Sequence, residues 1–216
     1  MRLACLRHFS LTLFLMLSAC SVVQPRPQPS SSVAVHEQHL ADVAHIRQFA
    51  IHGRVGVQTN PRGFSGSMQW QHALTGDQIQ LFSPLGGQVA QISTTAHGVE
   101  LVTSDGKSYQ AADAEKLTQQ TLGWSLPMHG LPDWVVGRPA SGTVKDASWD
   151  TMGRLTMLQQ DGWDIEYADY INVDGHQLPT RISLRSPQLN LKLIVENWQL
   201  KPELGSSTPT PAGGDS

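Results

Sequence analysis

The chain has 216 residues, 39% of them hydrophobic and 15% charged, with 15 Lys and Arg against 18 Asp and Glu and only two cysteines. A slightly acidic balance, with no basic stripe and no interleaving of basic and aromatic residues, argues against a nucleic-acid partner. Two cysteines exclude a disulfide framework.

Residues 1–19 read as a leader rather than as fold. Arg2 and Arg7 precede the apolar run Phe9 to Ala19, which is too short to span a bilayer as a mature helix. The run ends in Leu17-Ser18-Ala19-Cys20, a box of one Leu and two small residues before a cysteine. That is the signature of a bacterial lipoprotein signal, in which the Cys20 thiol takes a lipid and becomes the first residue. A plain secretory signal with a chance cysteine is the alternative. Cys5 leaves with the leader, and Ser21, where an Asp would favour retention at the inner membrane, favours the outer membrane. Loss of Arg2 and Arg7 leaves 13 basic and 18 acidic residues, a net charge of −5. Residues 20–34, rich in Pro and Ser, predict an extended tether, with a reach of about 45 Å from Ser21 to Val35 at about 3.1 Å per residue. Residues 201–216 are similarly simple and predict a disordered tail. Residues 35–200 then form one domain.

A leading amphipathic helix is predicted over "AVHEQHLADVAHIRQF", with Leu40, Val43, Ile46 and Phe49 near helical spacing. Two-residue alternation follows. It places Phe49, Ile51, Gly53, Val55 and Val57 on one face, and Phe64, Gly66, Met68 and Trp70 on one face of the next strand. Shorter strands are predicted at 78–82, 88–93, 99–103, 107–110, 155–159, 164–168 and 177–184. A last long strand carries Leu189, Leu191, Leu193 and Val195. Short turns such as "LTGD", "SDGK" and "VDGH" make the strands antiparallel. Two more helices are predicted: one after Asp113 as cap, stopped by Gly123, and one in "LPDWVVG".

The fold class is therefore α+β, a single curved antiparallel sheet of about ten strands forming a half-open barrel. About three helices lie as a partial lid over an apolar hollow. Candidates for its lining are Ile51, Val55, Val57, Met68, Trp70, Ile79, Leu81, Trp134, Leu191 and Leu193. Trp70, Trp134 and Trp198 also read simply as core.

One corner breaks the turn rules. "SPLGG" at 83–87 has the Pro and Gly of a hairpin turn, but its tip carries Leu85, where Ser, Asn, Asp or Gly is usual. Leu85 either projects as an apolar tip or folds back onto the sheet as a small contact.

Reactive chemistry is not written here. His36, His39 and His45 lie on the leading helix without a completing carboxylate or cysteine, so they read as surface histidines and no metal is expected. "GFSGS" around Ser65 has its second glycine one residue too early for a nucleophile elbow, and a triad with His52 and Asp77 would be invention. "SDGK" lacks phosphate-loop spacing. No cofactor, no nucleotide and no enzymatic activity are expected, so any process served must run downhill.

Several motifs together resemble the LolB family of outer-membrane lipoprotein receptors. They are the lipobox, Gly53–Val57, "SMQWQ", the "SPLGG" corner, "GKSYQAADAE", the series Gly123, Pro127, Leu131, Trp134 and Gly137, and the closing Asn197-Trp198. The likeness spans most of residues 35–200; the long tail and Ser83, where an Asn can occur, depart from it. The resemblance implies an incomplete barrel with an apolar cavity for acyl chains, and receipt of lipoproteins from the soluble periplasmic carrier LolA. It also implies their release into the outer membrane by a monomer held there through the lipid on Cys20. The family ties a leucine at the protruding tip to membrane delivery, and Pro84, Leu85 and Gly86 occupy that loop. The rival readings are a structural lipoprotein that scaffolds envelope assembly and a binder of another amphiphile, such as lipopolysaccharide. A net charge of −5 without a basic rim disfavours an anionic headgroup.

Overall fold

The structure is a computed structural model that describes residues 31–60 and 63–200. The leader, Cys20, most of the expected tether and the tail lie outside the described residues. Helix α1 spans Ser31–Ala44. Strands β1 (Phe49–Gln58), β2 (Gly63–Ala73), β3 (Gly76–Phe82), β4 (Gln88–Thr95), β5 (Gly98–Thr103) and β6 (Ser108–Ala111) follow as a meander. Helices α2 (Ala114–Leu122) and α3 (Leu131–Val135) interrupt it, and β7 (Val144–Trp149), β8 (Leu155–Gln160), β9 (Trp163–Val173), β10 (His176–Arg185) and β11 (Asn190–Leu200) complete it.

Among the described residues, all eleven strands belong to one antiparallel sheet in the order β6-β5-β4-β3-β2-β1-β11-β10-β9-β8-β7. The first and last strands meet at its centre, where Val55 pairs with Leu193 and Val57 with Leu191. Strands β6 and β7 remain unpaired edges, so the sheet curves without closing, as expected of the fold class. Alternation does the sorting. In β1, Phe49, Ile51, Gly53, Val55 and Val57 are buried while His52, Arg54 and Gln58 face solvent. The register of β1 slips at His52/Gly53, and a side chain at Gly53 would place its Cβ 2.0 Å from the Ile194 carbonyl oxygen. Only glycine fits so close to the neighbouring backbone.

The eleventh strand, β7, exceeds the expected ten. Its outward pattern is exposed almost throughout, because an edge strand over solvent has no greasy partner to impose alternation. Helix α1 begins at Ser31, and Phe49 opens β1 instead of continuing the helix. Both interior helix signals hold. The Asp113 carboxylate accepts from the backbone N–H of Glu115 and Lys116, and Gly123 takes the left-handed conformation with φ 84° at the stop.

Of the three helix histidines read as surface residues, His45 is exposed but His36 and His39 are buried, at 7% and 6% exposure. Docking of α1 explains the correction. His36 stacks on Trp149 with centroids 4.2 Å apart, and its Nδ1–H donates to the Gly153 carbonyl at 2.7 Å. His39 stands edge-on to Tyr170. Arg138 donates to the carbonyls of Val43, in the last turn of α1, and of Ile46 just beyond it. Close approach at the other end depends on Gly153, which has φ 79° and where a Cβ would lie 2.4 Å from the Val35 carbonyl oxygen.

Two outcomes follow from this docking. Gly153→Ala should lower unfolding stability by about 1–3 kcal/mol, read as a shifted denaturant midpoint. Burial, and then the neighbouring His36, push the His39 imidazole below its ordinary value of 6.5. The docked helix therefore holds fewer protons than the released one. Docking should be at full strength above about pH 6.5 and weaken as pH falls through that value, levelling off below the lowered pKa. Hydrogen exchange of α1 amides checks it: His39→Phe should remove the pH dependence.

An apolar recess beside an exposed leucine corner

Nine of the ten candidate lining residues share the concave face of the sheet. Ile51 pairs with Trp70, Trp70 with Ile79, and Met68 with Leu81 across β1, β2 and β3. Val55, Val57, Leu191 and Leu193 extend the same face across β1 and β11. Trp134 joins them from α3 within one buried cluster. Each of the ten is at most 4% exposed. In this conformation they pack against one another and against Leu117, Leu126, Leu131 and Val135 of the crossover.

Open apolar volume lies at one margin of that face. A recess of about 330 Å³ is lined by Gly63, Phe64, Leu81, Val89, Leu122 and Trp124. Of the ten candidates only Leu81 borders it. Phe64 and Val89 come from β2 and β4, and Leu122 and Trp124 from the end of α2. The sequence carried a signal for Trp124 that spacing alone did not exploit: a large apolar residue right after a left-handed helix-stop glycine commonly packs back on the last turn. Outside Phe64, a more polar groove of about 480 Å³ runs along Gly56, Val57, Gln58, Ser65, Asn190 and Lys192.

Leu81 and Val89 also bracket the corner. The Ser83 N–H donates to the Gly87 carbonyl at 2.8 Å, and the Gly86 N–H donates to the Ser83 carbonyl at 2.9 Å. Pro84 presets the first turn residue, and Gly86 supplies the left-handed step with φ 86°. The chain is thereby braced on both sides of Leu85, which is 98% exposed. It does not fold back onto the sheet. Exposing a leucine so fully forgoes about 2 kcal/mol of burial.

The two crossover helices are held differently. Trp134 of α3 is fastened by polar contacts: its indole N–H donates to Gln160 Oε1 at 2.9 Å, and its carbonyl accepts from the Tyr167 hydroxyl at 3.0 Å. Gln160 also accepts from the Ala140 N–H and donates to the Ala140 carbonyl. Burial drives the Tyr167 hydroxyl well above the ordinary tyrosine range, so it stays a donor. Arg138 pairs with Asp133 at 2.7 Å. Helix α2 rests instead on apolar contacts of Leu117, Leu122 and Trp124 with β5, β6 and the recess.

The residues of the imagined triad are not brought together. His52 lies opposite Gln69, four residues along β2 from Ser65 and so about 13 Å away. Asp77 accepts hydrogen bonds from Trp70 Nε1 at 2.8 Å, His72 Nδ1 at 2.7 Å and the Thr94 hydroxyl at 3.0 Å, stitching β2 to β3 and β4. Among the described residues no group of three His, Cys, Asp or Glu side chains is placed to hold a metal, and no helix is long and apolar enough to cross a membrane.

Comparison with known proteins bears on the same residues. The crystal structure of a LolA superfamily protein from Nitrosomonas europaea aligns with TM-score 0.49 at 10% identity, over 78% of this chain and 94% of that one. In sequence, the outer-membrane lipoprotein LolB of Nitrosomonas europaea is 35% identical over 95% of this chain and 98% of its own length. That of Azoarcus sp. is 33% identical over 86% and 90%, and that of Pseudomonas syringae pv. syringae 31% over 90% and 96%. The family model described as outer membrane lipoprotein LolB matches residues 47–198, from just before β1 to near the end of β11. The crossover helices, the leucine corner and all but the last two residues of the open sheet fall inside that match, and the chain belongs to the LolB family of outer-membrane lipoproteins.

Proposed function

We propose that this protein is a receptor that takes lipoproteins from the soluble carrier LolA and passes them into the outer membrane, shielding their acyl chains on the way. It works as a monomer, anchored by lipid on Cys20, with no nucleotide and no covalent step. The observation that carries the reading is Leu85: a leucine 98% exposed on a braced corner, whose flanking strands wall an apolar recess. A tip that dips into lipid beside an opening into the core is suited to handing greasy chains to a bilayer.

The energetics set the task. Three acyl chains carry some forty methylenes, each costing about 0.8 kcal/mol in water. Shielding is therefore obligatory, and direction comes from graded affinity: about 1.4 kcal/mol of preference over the carrier gives tenfold bias. Leu85 contributes about 2 kcal/mol at the lipid surface, enough to bias an encounter and too little to anchor one. At about 330 Å³ the recess is near the lower bound for ligand pockets, so the chains enter as α2 lifts and the buried face beneath becomes their lining. The filling of that face is the one observation that favours a ligand-free scaffold. A scaffold gives no reason to hold Leu85 in water.

Two substitutions separate acceptance from delivery. Full-length protein in phospholipid vesicles is mixed with cargo-loaded carrier without ATP, and cargo is followed from carrier to vesicle. Leu85→Glu should strip the carrier normally yet deliver at least tenfold more slowly, about 1.4 kcal/mol or more of lost bias. Val89→Trp, which fills the recess, should impair stripping itself. Wild-type protein that fails to draw cargo from the carrier sinks the receptor reading; normal delivery by Leu85→Glu removes the corner from it.

A further inference from the structure

The residues between the two sheet edges divide into a part fixed by buried hydrogen bonds and a part held by apolar packing and one ionisable contact. On the fixed side, α3 is bound to β8 and β9 through Gln160 and Tyr167, and Arg138 links its Asp133 to the carbonyls at the end of α1. Residues 113–129 form a second unit: the Thr118 hydroxyl oxygen accepts from the Leu126 N–H at 3.0 Å, tying the loop after α2 to the helix itself. This unit is continuous with β6 at one end and with α3 at the other, where the Leu131 N–H donates to the Pro127 carbonyl at 3.0 Å, and its far end supplies Leu122 and Trp124 to the recess.

His129 stands where the two parts meet. Its Nδ1 contacts Glu115 Oε1 of α2, and its Nε2 lies 4.0 Å from Asp161 Oδ2 in the turn between β8 and β9. The ring is edge-on to Trp134 of α3, with centroids 5.7 Å apart. From the sheet, His97 of the β4–β5 turn and Asp77 of β3 share a recess with His129, but Asp77 is taken up by Trp70, His72 and Thr94. On α3, Asp133 is occupied by Arg138, and on α2, Lys116 pairs with Asp113. Glu115 and Asp161 are thus the carboxylates His129 meets directly, one from each side of the gap.

A neutral imidazole carries one N–H and cannot donate to both. With its proton on Nδ1 toward Glu115, it turns a bare Nε2 lone pair toward Asp161. A second proton on Nε2 gives the ring two donors and a charge between two carboxylates.

We propose that His129 is an acid-closed clasp: when doubly protonated it ties the α2 unit to the β8–β9 turn and holds the lid shut, and when neutral it leaves that unit free to lift from the apolar recess. The proposal rests on the receptor reading for its purpose, not for its physics. A receptor so equipped accepts acyl chains more readily at neutral than at acidic pH.

Hydrogen exchange of the full chain in phospholipid vesicles, corrected for intrinsic rates, tests the clasp without cargo. Between pH 7.5 and pH 5.5, protection of amides 114–128 should rise about two- to fivefold, the range of a half-exposed ion pair, while amides of α3 stay level. His129→Gln should abolish the rise. Asp161→Asn should do the same, and its backbone is not at issue because asparagine tolerates the φ of 52° found there. Equal protection at both pH values in wild type overturns the clasp, and so does a rise that persists in Asp161→Asn. If the rise is present and carboxylate-dependent but the protein takes no cargo from the carrier, the clasp stands and the receptor reading falls.

Discussion

An antiparallel sheet that curves without closing leaves one broad greasy face, and something must cover it. Here the cover is a single crossover between the two free edges, residues 112–143, with α1 docked against the β7–β10 side. Two short helices and their loops are little material for eleven strands. Their side chains are correspondingly large: Trp124, Leu126, Leu131 and Trp134 are all buried. The apolar recess and the His129 contacts both sit where this cover meets the sheet.

The cover is fastened unevenly. Removing any one polar contact around Trp134 would leave a buried group unpaired, at about 1–3 kcal/mol. Apolar contacts under α2 carry no such penalty, because they can slide or be replaced by other apolar matter. An acyl chain is such matter. On the proposed reading, the same buried face serves as core when empty and as lining when occupied.

Much of this was legible in the amino-acid order. Long strands with one wet face repeat with period two, and β1, β2 and β11 were readable for that reason. Asp113 and Gly123 announced both ends of α2 through local chemistry alone. Strand β7 was not readable, since an exposed edge imposes no alternation on its residues. The burial of His36 and His39 was hidden as well: it depends on Trp149 and Tyr170, more than a hundred residues away, and no local pattern encodes such a partner. The ten inward residues could be placed on a face, but whether a face is packed or vacant is set by what the crossover lays against it. Leu85 was conspicuous because it violated a turn rule, and departures of that kind concentrate where function overrides local preference.

The central pairing of β1 with β11 has a practical bearing. Phe49 is opposite Leu200, and it is also opposite His72, at the end of β2 that leads to the Leu74 turn. The leucine corner instead follows Phe82, which aligns through Ser67 with Arg54, five residues or about 17 Å farther along β1. Whatever is joined after Leu200 starts from the opposite rim of these strands. A fluorophore or affinity handle attached there would leave the corner unobstructed, whereas one inserted at the β1–β2 turn would crowd it.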